Sequence, residues 1–276
     1  MSSAAISIPQ GRSAAARILV IPRGGFSGKV NLAASGLPPG VTASFSPAST
    51  AGISTMTLTA SRSARPVEST VTVTGVSGNL SHAQKTGLVV TPVLAGAVPV
   101  DLSSAYNVTG IYTDGSTFAP SAGLDHGGYA FSEQALGPEQ VGDEVVFRLG
   151  PANAPDAVTG ATVALPAGTF SSLRILAVAV EGNQERQTFI VNYADGTSSS
   201  FTQSLTDWAG RGDASGESVA AEMPYRLAAD GAKDTNAFYT HAYSFALDSR
   251  KVAKSLSLPA NANVLLLAAT LVPSAK

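Results

Sequence analysis

The chain has 276 residues, a formal net charge of −2 and a charged fraction of 13%. It contains no cysteine, which excludes disulfides, thiol nucleophiles and thiolate metal sites. The basic residues are scattered, so the sequence lacks the basic stripe typical of nucleic-acid-binding proteins. No run of about 18 or more apolar residues occurs, and no membrane-spanning helix is predicted.

The composition favours β-structure throughout. Ser, Thr, Ala, Val and Gly are abundant, whereas Lys, Glu and Gln, which form helix surfaces, are scarce. The first residues lack the basic and apolar regions of a signal peptide. We expect a fragment of a larger exported chain, with a cytoplasmic protein as the alternative.

Residues 1–92 alternate in the manner of short strands separated by turns. Met56 and Leu58, and then Val71 and Val73, show the period of two that is typical of half-buried strands. The predicted strands are 16–21, 29–34, 41–45, 55–59, 69–74 and 88–90. Six or seven strands in about 90 residues predict an immunoglobulin-like (Ig-like) β-sandwich. The uncharged stretch 92–99, which contains Pro and Gly, is predicted to be a linker.

Residues 100–276 predict a second, larger β-sandwich of the jelly-roll type. Asp-Gly pairs at 114–115 and 195–196 predict tight hairpins with type I′ turns, and Gly182-Asn183 predicts a further turn. The segments 173–180 (LRILAVAV) and 264–272 (VLLLAATLV) are apolar on both faces. They predict central strands that are covered on both sides. The fold class is therefore all-β, with an Ig-like sandwich followed by a jelly roll.

Two stretches resemble known families. Residues 24–90, through GFSGKVNLAASGLPPGVTASFSP at 25–47 and STVTVTG at 69–75, resemble Ig-like repeats appended to secreted bacterial hydrolases. Residues 100–272 resemble galactose-binding-like accessory modules found beside glycoside hydrolases. The matching phrases are VDLS at 100–103, YN at 106–107, LDHGGYAFS at 124–132, YADG at 193–196, DW at 207–208, YR at 225–226 and SLP at 257–259. His126 stands where that resemblance implies a small residue.

The candidate binding site lies in two Gly-rich loops of the second module, at 123–131 and 207–217. Sugar recognition needs flat aromatic faces and planar polar groups, which these loops carry. Trp208 is the only tryptophan, and Arg226 is interpreted as a binding residue or as a partner of Asp207 that pins the loop. The predicted ligand-binding residues are Asp125, His126, Tyr129, Asp207, Trp208, Tyr225 and Arg226.

Metal binding is predicted only as a structural calcium site, with oxygen ligands from Asp101 and Asp125. His82, His126 and His241 are far apart and lack zinc-ligand spacing, so no zinc site is predicted. The motifs of nucleophile elbows, zinc hydrolases and phosphate-binding loops do not occur, and no catalytic residue is assigned.

The sequence therefore predicts a non-catalytic carbohydrate-binding protein or fragment, extracellular or at the cell surface. Its expected partner is a polysaccharide or glycan, with a covalently linked catalytic domain in the parent chain. One alternative is a polysaccharide hydrolase or lyase that uses acids near 207–222, namely Asp207, Asp213, Glu217 and Glu222. The other is a structural or adhesion spacer at the cell surface.

Overall fold

A computed structural model describes residues 5–212 and 214–274 of the chain. In these residues the fold is nearly all β, with a single four-residue helix, so the prediction of an all-β protein is confirmed. The chain divides into two compact units, residues 1–93 and 94–276, which we describe separately. No helix in the described ranges is long or apolar enough to cross a membrane.

The first unit is a sandwich of two antiparallel sheets, with one parallel pair. Its strands are β1 (Ile6–Pro9), β2 (Ser13–Leu19), β3 (Val30–Ser35), β4 (Val41–Ser46), β5 (Ser49–Thr50), β6 (Ile53–Ala60), β7 (Val67–Ser77) and β8 (Leu80–Thr91). The larger sheet has the order β1-β8-β7-β3-β5, and the smaller sheet has the order β2-β6-β4. The first strand runs parallel to the last, with Ile6 opposite Leu88.

The alternation in the sequence decides which side chains meet between these two sheets. Met56 and Leu58 of β6 are buried, and so are Val71 and Val73 of β7, because successive side chains of a strand point to opposite faces. Leu88 of β8 joins the same core. The six predicted strands of this region are present, but β8 begins eight residues before the predicted segment 88–90, and the sequence did not predict β1 or β5.

The second unit contains the remaining strands and the helix. These are β9 (Val98–Pro99), β10 (Ile111–Tyr112), β11 (Tyr129–Ser132), α1 (Glu133–Leu136), β12 (Glu139–Gly142), β13 (Val145–Arg148), β14 (Thr162–Ala164), β15 (Phe170–Ala179), β16 (Gln184–Tyr193), β17 (Ser198–Leu205), β18 (Glu217–Met223), β19 (Arg226–Ala228), β20 (Lys233–Asp234), β21 (Phe238–Ala246), β22 (Ala253–Ser257) and β23 (Val264–Pro273). A five-stranded sheet, β18-β21-β15-β23-β9, lies next to a four-stranded sheet, β14-β22-β16-β17. Smaller sheets are formed by β10-β11-β19-β20 and by β12-β13.

The two fully apolar segments are strands covered on both faces, as predicted. In β15, Leu173 and Ile175 belong to the core shared with the four-stranded sheet, whereas Leu176 and Val178 belong to the core on the opposite face. β23 is buried in the same two-sided way and pairs with β15 through a register shift near Ala177. Two hydrophobic cores on one sheet explain why neither segment shows a polar face.

The Asp-Gly pairs give mixed results. Asp195-Gly196 joins β16 to β17 in a hairpin, as predicted, but only Gly196 has a positive φ, so the turn is not type I′. The three-residue loop 194–196 is closed by the Tyr193 N–H, which donates to the Thr197 carbonyl at 2.9 Å. The hairpin predicted at Asp114-Gly115 is wrong, because β10 before it pairs in parallel with β11.

The turn predicted at Gly182-Asn183 is present, and Gly182 adopts a φ of 91°. It joins β15 to β16, which lie in different sheets, so it is a crossover between the sheets. The predicted linker also differs from the structure. Leu94 donates its N–H to the Glu144 carbonyl, and β9 pairs with β23, so residues from 94 onward are part of the second unit.

Asp156 is a fully buried carboxylate that holds the start of β10. It accepts hydrogen bonds from the backbone N–H groups of Gly110 and Ile111, at 2.9–3.1 Å. Burial raises the pKa of Asp156 from 3.8 to about 7, against the opposite effect of these two N–H groups. The folded protein therefore binds this proton more tightly than the unfolded chain.

We expect Asp156 to make the second unit less stable as the pH rises from about 4 to about 7. Protonation of Asp156 favours the folded state. Its contribution to stability is therefore complete below the unfolded-state pKa of 3.8, and it is lost as the pH rises through the folded-state pKa of about 7. The slope should reach at most about 1.4 kcal/mol per pH unit. Urea unfolding followed by tryptophan fluorescence from pH 4.5 to 8 measures it. Asp156→Asn should remove this component, and an identical pH profile for the variant would contradict the assignment.

Candidate ligand-binding site

Arg226 is the centre of the predicted site. It lies on β19 opposite Asp234 of β20, and its Nε donates to Asp234 Oδ2 at 2.9 Å. Its Nη1 is 3.3 Å from Asp125 Oδ2, in the loop before β11. Only 18% of the Arg226 side chain is exposed. The guanidinium therefore connects the β19–β20 hairpin to the first of the two predicted loops.

Aromatic rings surround the same guanidinium. Its central carbon lies 3.5 Å from the ring centre of Tyr129, 4.5 Å from that of Phe238 and 5.2 Å from that of Trp208. A weakly hydrated, planar cation is favoured over aromatic faces. Together with the two ion pairs, these contacts fix the plane of the Arg226 guanidinium.

Both carboxylate oxygens of Asp125 have a partner. Oδ1 accepts the Tyr129 N–H at 2.9 Å, and Oδ2 faces Arg226, with 8% of the side chain exposed. Burial raises the pKa of Asp125 above its ordinary value, while the Tyr129 N–H and the Arg226 charge act in the opposite direction. The carboxylate supports Arg226 from inside the protein.

Trp208 requires a correction, because it is a core residue. Only 2% of it is exposed, and its ring packs edge-on against Phe131 at 5.0 Å and tilted against Phe238 at 5.2 Å. The bulky ring fills the space beneath Arg226 and has no free face on which a sugar could stack. Its position just before a Gly-rich loop suggested that Trp208 is exposed. In the structure the chain leaves the core only after Trp208.

Tyr225 belongs to a polar network beside Arg226. Its hydroxyl donates to Asp114 Oδ2 at 2.7 Å, and the Lys233 ammonium lies 2.6 Å from the same oxygen. Ser132, the N-cap of α1, donates to the other oxygen of Asp114. Burial opposes ionisation of Asp114, but the bonds from Lys233, Ser132 and Tyr225 prevail and lower its pKa. The network joins β10, β11 and the β19–β20 hairpin.

The remaining predicted residues lie around this centre. Asp207 accepts the N–H groups of Gly182 at 2.7 Å and Ala209 at 2.9 Å, so it pins two turns. The expected Arg226–Asp207 pair does not form, because Arg226 is bound to Asp125 and Asp234. His126 is exposed, and its imidazole Nδ1 lies 3.8 Å from Glu181 Oε1.

The predicted calcium ligands do not match calcium coordination. Both oxygens of Asp125 are engaged by Tyr129 and Arg226, and a calcium ion would face the guanidinium charge. Asp101 is exposed and accepts the Ser103 N–H at 2.9 Å, which lowers its pKa. The described residues contain no group of three or more His, Asp or Glu side chains placed to hold a metal ion.

A solvent-accessible cavity of about 480 Å³ adjoins Arg226. It is lined by Ala209, Arg211, Arg226, Asp234, Asn236, Ala237, Phe238 and Tyr239. This volume falls within the range of small-molecule sites, and its polar groups come from three segments. A second cavity of about 340 Å³, in the first unit, is lined mostly by apolar residues such as Ile18, Leu32 and Leu80. We take the first as the candidate site because polar groups converge there.

Of the seven predicted binding residues, only Arg226 lines this cavity. The sequence did not single out Asp234, Asn236 or Tyr239. One signal was present: Asp230-Gly231 closes the β19–β20 hairpin through a three-residue loop. That hairpin places Arg226 opposite Asp234, and opposite charges commonly face each other across strands.

Comparison with known proteins identifies the second unit. The model of the AziU2-like β-sandwich domain matches residues 96–275, more than half of the chain. The chain belongs to the AziU2-like β-sandwich family. The AziU2-like domain thus contains both predicted loops and the cavity. No curated protein sequence matches the chain.

Solved structures show only distant similarity. A Bacteroides uniformis β-glucuronidase 2 is 10% identical with a TM-score of 0.33, and the alignment covers 98% of this chain and 28% of that one. The surface layer protein SbsC, domains 4–9, is 12% identical with a TM-score of 0.28, covering 86% and 30%. The endo-fucoidan hydrolase MfFcnA4 is 14% identical with a TM-score of 0.26, covering 87% and 42%. The chain spans less than a third of the first of these proteins, and such scores add nothing about the function of the AziU2-like domain.

Arg226→Ala should destabilise the AziU2-like domain by about 3–5 kcal/mol, because it leaves the buried Asp125 without its cation. Arg226→Lys keeps the charge but loses the planar fork, and we expect an intermediate effect. Urea unfolding, followed by tryptophan fluorescence, measures both changes.

Arg250→Ala is the matched control. Arg250 also forms an ion pair, with Asp248 at 2.9 Å, but 87% of its side chain is exposed. Its loss should leave the free energy of unfolding almost unchanged, because an exposed ion pair contributes little to stability. Equal effects of Arg226→Ala and Arg250→Ala would show that Arg226 does not hold the site together.

Proposed function

We propose that the AziU2-like domain is a non-catalytic glycan-binding module and that the cavity beside Arg226 is its binding site. The observation that carries the proposal is the convergence of Arg211, Arg226, Asp234 and Asn236 on one cavity with an aromatic wall. Guanidinium, carboxylate and amide groups are planar, and each can pair with adjacent sugar hydroxyls. Phe238 and Tyr239 form the buried apolar wall behind these groups, with 2% and 8% of each residue exposed, so recognition would depend on the polar groups.

The two arginines of the cavity differ in how firmly their side chains are held. Arg226 is fixed by Asp125, Asp234 and the Tyr129 ring, so it presents a preorganised donor. Arg211 has a side chain that is 75% exposed and lies 3.3 Å from Glu222. We expect Arg211 to adjust to the ligand while Arg226 sets its orientation.

The positions of the acids favour binding over hydrolysis. Asp207 accepts two backbone N–H groups, and Glu222 is paired with Arg211. Glu217 has a side chain that is only 2% exposed. Asp213 lies outside the described residues. A glycosidase needs two acids that face each other across a cleft, and these three carboxylates already serve structural contacts.

We also propose that the first unit is Ig-like and that the chain is an accessory region of a secreted protein. The strand order β2-β6-β4 against β8-β7-β3, with β1 parallel to β8, supports this interpretation of the first unit. In that arrangement the first unit serves as a spacer. We keep the galactose-binding-like jelly roll as our interpretation of the strands within the AziU2-like domain. A linked catalytic domain in a longer parent chain would act on the glycan that the module binds.

The test is a glycan array with the full chain, followed by calorimetry with the best ligand. Arg211→Ala and Asn236→Ala should each weaken binding by about 1–3 kcal/mol, because each removes a polar side chain that lines the cavity. Both side chains are exposed, so their loss should leave the fold intact, and the urea midpoint checks this.

Arg148→Ala is the matched control, since Arg148 is 70% exposed and lies 3.5 Å from Glu139, away from the cavity. It should bind as the parent does. If Arg211→Ala and Asn236→Ala also bind as the parent does, the site is elsewhere. An array without any bound glycan would leave the spacer as the better interpretation.

A further inference from the structure

The sandwich of the first unit is open around one end of β8. Successive side chains of a strand alternate in direction, so Leu80, His82 and Gln84 face the same way as the core residues Leu88 and Val90. Leu88 and Val90 are buried, whereas the other three residues are exposed. The space between the two sheets is therefore filled around one end of β8 and uncovered around the other.

The uncovered space is the cavity of about 340 Å³ in the first unit, which we call the corner groove. Its lining residues include Ile18, Ile21, Arg23, Val30, Leu32 and Leu80. Val30 and Leu32 lie on the same face of β3 as Ala34, which packs on the core, yet both are only half-buried. Leu80 and Ile21 are 64% and 66% exposed. Contiguous apolar surface that faces solvent in this way marks an interaction site.

Two strand edges border the corner groove. β2 is an end strand of the smaller sheet, and its residues Ile18 and Leu19 line the groove. β8 pairs with β1 from Leu88 to Thr91, so among the described residues no strand lies beside 80–85 on the side away from β7. The backbone N–H and C=O groups at such edges can pair with an added strand. The groove thus offers apolar surface and main-chain hydrogen-bonding groups together.

The first unit also carries an excess of positive charge, which the net charge of −2 for the whole chain conceals. Residues 1–93 contain one acid, Glu68, and seven basic residues: Arg12, Arg17, Arg23, Lys29, Arg62, Arg65 and Lys85. Arg23 lines the corner groove, and Lys85 is exposed on the part of β8 that borders it. Glu68 lies opposite Val89, beside the covered part of β8. The groove therefore favours an acidic partner.

We propose that the corner groove binds an extended peptide segment of a partner protein in which apolar and acidic residues alternate. The segment adds as a strand to the edge of β8 at 80–85. Its apolar side chains enter the groove, and its acidic side chains lie near Arg23 and Lys85. This gives the first unit a role beyond that of a spacer, and it does not depend on glycan binding at the cavity beside Arg226.

Charge and backbone geometry favour this occupant over two others. A second copy of the chain would bring the same basic residues to the contact, so pairing of β8 with β8 is opposed by like charges. An anionic membrane would be attracted by Arg23 and Lys85, but a lipid surface makes no use of strand edges. An acidic strand matches the apolar lining, the open edges and the charge at once.

The test begins with selection of peptides of about ten residues from a random phage-displayed library against the immobilised full chain. We expect the selected sequences to alternate apolar residues with aspartate or glutamate. A selected peptide, synthesised with a fluorescent label, should bind more weakly as the salt concentration rises. It should slow amide hydrogen exchange within residues 80–85. Methylation of one of its two alternating sets of backbone nitrogens should abolish binding, because those N–H groups pair with the strand edge.

Arg23→Glu should weaken binding of that peptide about tenfold, because it turns an attraction for the acidic side chains into a repulsion. Leu80→Ser removes apolar lining and should weaken binding about fivefold. Both residues are exposed, so the variants should fold, and the urea midpoint checks this. Arg65→Glu is the matched control, because it makes the same change in net charge at an exposed residue that does not line the groove. It should bind as the parent does.

Three results would overturn the proposal. The first is a selection that yields no peptides, or peptides without acidic residues. The second is equal binding of the selected peptide by Arg23→Glu and Arg65→Glu. The third comes from flotation of the full chain with vesicles of phosphatidylglycerol and phosphatidylcholine. Binding to these vesicles that is lost in Arg23→Glu and Leu80→Ser, but not in Arg65→Glu, would assign the corner groove to a membrane surface instead.

Discussion

The arrangement around the candidate site depends on one buried cation. Arg226 replaces its lost hydration with two carboxylates and three aromatic rings, which come from separate parts of the sequence. A guanidinium can be buried in this way because its charge is delocalised and its donors form a rigid fork. Each partner is therefore constrained: Asp125 shapes its loop, Asp234 sets the hairpin register, and Trp208 and Phe238 close the site from below. Replacing any of them leaves either a charge or an apolar space unmatched.

The five-stranded sheet provides the rigid base for this arrangement. Because β15 and β23 are buried on both faces, they carry two hydrophobic cores, and the polar networks lie above one of these. Trp208 and Phe238 are members of the core on the side of the site. The site is thus attached to the most buried part of the domain, whereas residues at its rim, such as Arg211 and Asn236, are exposed.

The sequence predicted those features that depend on local pattern. The segments 173–180 and 264–272, which are apolar on both faces, are central strands as predicted. They could be recognised because an unbroken run of apolar residues indicates burial on both faces. The Asp-Gly pairs show the limit of such signals. The hairpin at 195–196 formed, that at 114–115 did not, and the one at 230–231 was not predicted, because turn chemistry does not say which strands will pair.

The site was predicted in part, for a similar reason. Asp125, Tyr129, Trp208 and Arg226 do meet, yet their roles are supportive, since only the folded chain shows that Trp208 is buried and that Arg226 faces Asp234. The contact between Glu217 and His241 could not be found from spacing either, because only the pairing of β18 with β21 brings these residues together.

The pairing of β9 with β23 also has a mechanical consequence. These two strands are the first and last of the AziU2-like domain, and they run antiparallel, with Val98 opposite Leu271. The chain therefore enters and leaves the domain at neighbouring points. A pulling force applied through the two ends would load the hydrogen bonds of β9 one after another, as in opening a zipper, and not all at once. Because β9 has only two residues, we expect it to detach at low force, while β15 and the rest of β23 stay folded.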